Sequence, residues 1–158
     1  MIELLMEQIK TLEAEFQLAG ERVFKLTDFS RKDVGEVMLS YLEELGELCQ
    51  EIKIATGVAG TQHKSAGPDG IYGECADVWI CAVSHCYAKN KEKDQVGIAI
   101  TAVSPKQFTD YLIDSTQSRG MQSMAMGLAL YVDPDPICFL NKINSKLDKW
   151  VKNVKYID

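Results

Sequence analysis

Apolar residues recur every three or four positions from the start of the chain, at Ile2, Leu5, Met6, Ile9, Leu12 and Phe16. A 3.6-residue repeat puts such positions on one face, so the spacing predicts a helix over about 2–18. A second stripe, Met38, Leu42, Leu45, Cys49 and Ile52, predicts a helix over about 31–56. Ser30-Arg-Lys-Asp33 fits a capping box at its start, and Gly57 a natural stop. The stretch GVAGTQHKSAGPDG that follows carries too much glycine and proline for a helix.

Beyond that loop the pattern changes. The run GECADVWICAV lies in a segment predicted helical over about 71–90, with apolar residues around most of its circumference. A helix apolar on every side is a buried one. Asp135-Pro136 opens a final helix, an N-cap followed by proline at the first helical position, which continues to about Val154. Between these, Ser104-Pro105 starts a helical stretch, PKQFTDYLIDSTQSRG, up to Gly120. MQSMAMGLALY is expected to be helical too, its methionines filling gaps in the core. For QVGIAITAV the periodicity leaves a short strand and a helical turn both open. No repeat or low-complexity segment interrupts the chain. The expectation is an all-α bundle forming a single domain over 1–158.

Composition narrows the function without naming it. A chain of 158 residues with 46% hydrophobic and 25% charged residues is ordinary for one globular domain with a sizeable core. The net charge of −6 disfavours nucleic acid or a membrane surface as a general partner. Glu3 and Glu7 near the N-terminus do not suit a signal peptide, and no apolar run approaches bilayer length. The five cysteines, Cys49, Cys75, Cys81, Cys86 and Cys138, form no Cys-x-x-Cys pair. Reduced thiols in a cytoplasmic protein are therefore expected, and zinc is not.

Charge placement is more telling. Glu74 and Asp77 fall about 60° apart on the helix that looks built for burial, and no lysine or arginine lies between Lys64 and Lys89. Burying an isolated carboxylate is costly unless it is neutralised, paired or bound to a metal. In YLEELGELCQEI, Glu44, Glu47 and Glu51 share a narrow arc beside the apolar stripe, while Glu43 points toward solvent. Helices joined by a loop usually pack antiparallel, which would bring the two acidic pairs face to face. Glu44, Glu47, Glu74 and Asp77 would then make an all-oxygen site suited to a hard divalent cation such as Mg²⁺ or Mn²⁺. Taken alone, Glu44 and Glu47 are ordinary solvated acids of a glutamate-rich helix; the joint pattern carries the inference.

This arrangement, Glu44-Leu-Gly-Glu47, 26 intervening residues, then Glu74-Cys-Ala-Asp77, resembles the all-α nucleoside triphosphate pyrophosphohydrolases: MazG-like proteins, dCTP pyrophosphatases and dimeric dUTPases. The flanking EELGEL and ECADVW are similar to that family as well, and the resemblance covers roughly 31–90. It implies Mg²⁺-dependent hydrolysis of a (deoxy)nucleoside triphosphate to the monophosphate and pyrophosphate, as in nucleotide-pool house-cleaning, with the four acids holding the metal. Glu47, or its neighbour Glu44, is the candidate to activate the attacking water. A homodimer or a dimer of dimers is implied on the same basis.

In the final helix Lys142, Lys146, Lys149 and Asn153 occupy one narrow face, opposite Phe139, Leu140, Ile143, Leu147, Trp150 and Val154. The bland reading is a solvated lysine face; the functional one is contact between Lys146, Lys149 and Asn153 and the substrate phosphates. Lys149, Asn153, Lys155 and Tyr156 resemble the family's C-terminal pattern, with the Asn-to-Tyr spacing one residue short and its proline missing. His85 lies three turns from Glu74 and is expected at the core or rim; His63 and Lys64 are expected to be solvated, and Trp79 and Phe16 to be core. Two alternatives stand beside the enzyme: a non-catalytic helical interaction module with a vestigial acidic site, and a di-iron or di-manganese carboxylate bundle. The latter wants Glu-x-x-His pairs that this chain lacks.

Overall fold

Eleven of the 21 residues of one helix, Gly70–Asn90, are buried, and every other long helix packs around it. The computed structural model describes residues 2–155 except 62, 66, 68, 69 and 94, with side chains from Leu5 to Val154. In chain order its helices are α1 (Ile2–Ser30), α2 (Val34–Ala55), α3 (Gly70–Asn90), α4 (Pro105–Asp114), α5 (Ser118–Val132) and α6 (Pro136–Lys155). No strand occurs among the described residues. None of their helices is long and apolar enough to cross a membrane. The all-α expectation holds, and the central position of α3 follows from its apolar circumference.

Trp79 of α3 stands at the middle of the core, with Phe16 of α1 edge-on to it at a centroid separation of 5.8 Å and Phe139 of α6 stacked on Phe16 at 6.3 Å. Tyr41, Phe108, Met121, Met126 and Leu147 are fully buried around them. Phe16 and Trp79 are therefore core residues, as expected.

Three boundaries differ from the sequence expectation. The first helix runs to Ser30, a full three turns beyond about residue 18. Gly20 does not end it, because a Cβ there would collide with Val96, so glycine is kept for close approach of a neighbouring segment. The helix stops where Arg31 adopts a left-handed φ of 57°. Ser30 accordingly closes α1, its hydroxyl donating to the Thr27 carbonyl, and the N-cap of α2 is Asp33, whose carboxylate accepts the Glu36 amide at 2.8 Å. The stretch expected as one helix from Pro105 to Gly120 is two, broken at Ser115–Gln117. Ser115 is extended, and the Thr116 carbonyl is taken by the Tyr41 hydroxyl at 2.7 Å.

QVGIAITAV is neither helix nor strand. Its buried start is held by side chains of the helices it crosses: Gln17 Oε1 accepts the Val96 amide, Gln122 Oε1 accepts the Gly97 amide, and Trp79 Nε1 donates to the Gly97 carbonyl. Val103 closes the segment by donating its amide to the Gly127 carbonyl. Buried backbone groups must find partners, and here they find them without a ladder.

Candidate metal centre

The α2–α3 contacts run in opposite chain order: Glu51 meets Gly67 just ahead of α3, Glu44 meets Asp77, and Tyr41 stacks on His85. The two helices are thus antiparallel, which brings their acidic faces together. Carboxylate oxygens of Glu44, Glu74 and Asp77 all lie within 4.8 Å of one another, and all three residues are half-buried. Oxygens ligating one Mg²⁺ stand at most about 4.2 Å apart, twice the metal–oxygen distance, so small side-chain rotations separate this cluster from a coordinating one. Glu47 is exposed and stands outside that group, joined to it by a hydrogen bond with the Glu44 side chain.

Convergence has an electrostatic cost. Burial, then Asp77, Glu47 and Glu74, push the Glu44 carboxyl up to about 8. Among the described residues its buried Oε2 has no hydrogen-bond partner. A buried acceptor of this kind, facing two further carboxylates, is the donor set a hard cation takes.

The sequence pattern suggested a cluster without nearby bases; the structure corrects this. Lys146 reaches over from α6, and its Nζ donates to Asp77 Oδ2 at 3.0 Å. Helix α3 itself offers no such partner, so the pairing became legible only once α6 was laid beside it. Glu51 has a separate role: it is buried on α2, and its Oε1 accepts the Gly67 amide at 2.9 Å, holding the α2–α3 loop to the end of α2.

A pocket of about 390 Å³ opens beside the acids, with Glu44 and Asp77 in its wall. Lys32, Lys146, Lys149 and Asn153 bring cationic and amide groups to it, and Trp150 lines it as well. Its remaining lining is Ser30, Val37, Ser40, Ile80, Cys81 and Ser84. Lys142 is not among the lining residues. The sequence pattern marks none of Lys32, Trp150 and the three serines as a site residue. Placing Ser30 at the start of α2 put Lys32 inside a helix, whereas it belongs to the turn between α1 and α2. Trp150 was assigned to the apolar side of α6, and it is half-buried at that side's edge.

The other candidates fall elsewhere. His85 is half-buried against Tyr41, with Nδ1 2.7 Å from Ser118 Oγ, and burial followed by Lys89 holds it below the usual imidazole range. His63 and Lys64 are exposed. Tyr156 and the Lys155 side chain lie outside the described residues. All five cysteines are free thiols; Cys75 is buried, Cys49, Cys81 and Cys86 are half-buried, and Cys138 is exposed.

Fold and site together define an all-helical protein with a three-carboxylate, oxygen-only cluster, two members of which line a lysine-bearing pocket. Comparison with protein-family models, with curated proteins and with solved structures finds no significant match to this chain.

Proposed function

We propose that the protein is a Mg²⁺-dependent nucleoside triphosphate pyrophosphohydrolase, with Mn²⁺ able to substitute. One observation carries this reading: two carboxylates of a three-carboxylate cluster, Glu44 and Asp77, line the same pocket of about 390 Å³ as three lysines. Carboxylates bind a divalent cation and lysines bind polyphosphate, and a metal–polyphosphate complex presents both to a protein at once.

Glu44, Glu74 and Asp77 would hold the cation, with Glu47 bridged to them through Glu44. Bound there, it would supply Lewis-acid polarisation of a phosphoryl oxygen and a water of lowered pKa. Glu47 is the candidate to accept the water's proton, since it is exposed to solvent one turn along α2 from Glu44. Lys146 and Lys149, with Lys32 from the α1–α2 turn, would stabilise charge on the departing pyrophosphate, and Asn153 would help to orient it. The part of the pocket lined by Val37, Ile80 and Trp150 would receive the nucleoside.

A panel of standard and modified (deoxy)nucleoside triphosphates with Mg²⁺, followed by product identification, tests the proposal. Monophosphate and pyrophosphate are the products expected from at least one of them. Diphosphate with orthophosphate, or no turnover across the panel, would overturn it.

A further inference from the structure

Lys146 and Lys142 are the half-buried lysines among the described residues. The Lys146 side chain is only 14% exposed, and the Asp77 carboxylate that accepts from it is 27% exposed. An ammonium so far from water is held there by the carboxylates it faces, because their charge offsets its desolvation. The same carboxylates are the proposed cation ligands. A divalent ion bound to Asp77 would lie about 2.1 Å from the ligating oxygen. With Nζ 3.0 Å from Oδ2, ion and ammonium could be no more than about 5 Å apart across that oxygen. At that distance a double charge repels the ammonium about as strongly as a single carboxylate charge at half the distance attracts it. The other way out for Lys146 is the pocket, which it lines beside Lys149 and Lys32.

Resting on the proposed metal centre, we propose that Lys146 is an exchangeable placeholder for the cation. In the metal-free protein it neutralises the acidic cluster. When a polyphosphate enters the pocket, the ammonium transfers to it and Asp77 is released to the metal. Each ligand then removes an obstacle to the other, so metal and polyphosphate bind cooperatively, and by linkage the gain is the same in both directions. Metal alone binds weakly, because it must first displace a cation already in place.

The test is Mn²⁺ binding to the full chain without nucleotide, followed by electron paramagnetic resonance. Lys146→Met keeps the aliphatic stem and removes the charge; it should bind Mn²⁺ about tenfold more tightly than wild type. Lys146→Gln is the second variant should methionine disturb folding, and Lys146→Arg, which restores a cation, should return toward wild-type affinity. Lys149→Met removes an exposed charge from the same helix face and should shift affinity by less than about threefold, since exposed charges are screened. If wild type binds Mn²⁺ and the Met and Gln variants at Lys146 bind it no more tightly, the placeholder is wrong and the metal centre stands. An equal gain in Lys149→Met would mean a general field effect and also overturns the placeholder. Absence of Mn²⁺ binding in every variant would sink the metal centre itself, and this inference with it.

Discussion

Glu51 Oε1 accepts the Gly67 amide at 2.9 Å, so a buried carboxylate two turns beyond Glu44 ties the end of α2 to the loop that leads into α3. A hydrogen bond to a charged acceptor contributes about 1.5–3 kcal/mol. Glu51→Ala is expected to lower unfolding stability by about that amount in chemical denaturation. Gly67→Ala should also destabilise, because its Cβ would stand 2.9 Å from the same oxygen. Glu51→Ala combined with Gly67→Ala should then lose less than the two single losses added together, since removing the carboxylate removes the clash.

Glu44 sets a pH dependence on the metal-free protein. Its carboxyl is raised from 4.5 to about 8 in the fold, so the folded state holds the proton more tightly than the unfolded chain. The stability this contributes is complete below about 4.5 and is lost as pH rises through about 8. His85 acts in the opposite direction at lower pH, because a depressed imidazole loses its contribution as pH falls. The difference between wild type and Glu44→Gln cancels the histidine. In EDTA, thermal melts should show the variant gaining on wild type between pH 6 and about 9; a constant difference would mean that Glu44 is not perturbed.

The pocket lysines and the cluster acids should separate in their effects. Lys149→Ala and Lys32→Ala remove exposed side chains, so stability should change by no more than about 0.5 kcal/mol. Their kcat/KM toward a triphosphate should fall about tenfold each, as lost phosphate contacts would require. Asp77→Asn should lower turnover by about a hundredfold or more and abolish the thermal stabilisation given by Mg²⁺. Retention of that stabilisation in Asp77→Asn would remove Asp77 from the cation's ligands.

Gly20→Ala is expected to run against helix propensity. Mid-helix glycine to alanine usually stabilises by about 1 kcal/mol. Here the added methyl meets Val96, and overpacking of this kind costs about 1–3 kcal/mol. Pairing it with Val96→Ala should recover stability, measured by urea denaturation.

The parts of the molecule legible in the sequence are those where one periodic signal decides the outcome. The apolar circumference of GECADVWICAV announced a central helix, and Glu74 and Asp77 stood out on it because burial and charge conflict within a single element. Lys146 and Lys149 were visible as a stripe on α6. What the sequence withheld depends on pairs of elements. The ion pair between Lys146 and Asp77 exists only because α6 lies beside α3, 69 residues away in the chain. The first helix outruns its apolar stripe, and the place of Gly20 inside it is explained only by Val96. Lys32 was placed inside α2 because Ser30 and Asp33 are both good caps, and local chemistry alone does not say which one the chain uses. The split between α4 and α5 likewise turns on the Tyr41 hydroxyl, which belongs to a different helix.

The segment crossing from Val96 to Val103 would count as coil in a circular dichroism spectrum, yet several of its amides are not open to solvent exchange in the way coil amides are. The Val96 and Gly97 N–H groups are held by glutamine side chains of α1 and α5, and Val103 N–H by a backbone carbonyl of α5. Exchange at these positions requires α1 or α5 to move away, so they should report the opening of the helical core and not of a surface loop. Deuterium uptake at Val96, Gly97 and Val103 is accordingly expected to track that of the neighbouring helices, slow and cooperative, in a stretch with no regular structure of its own.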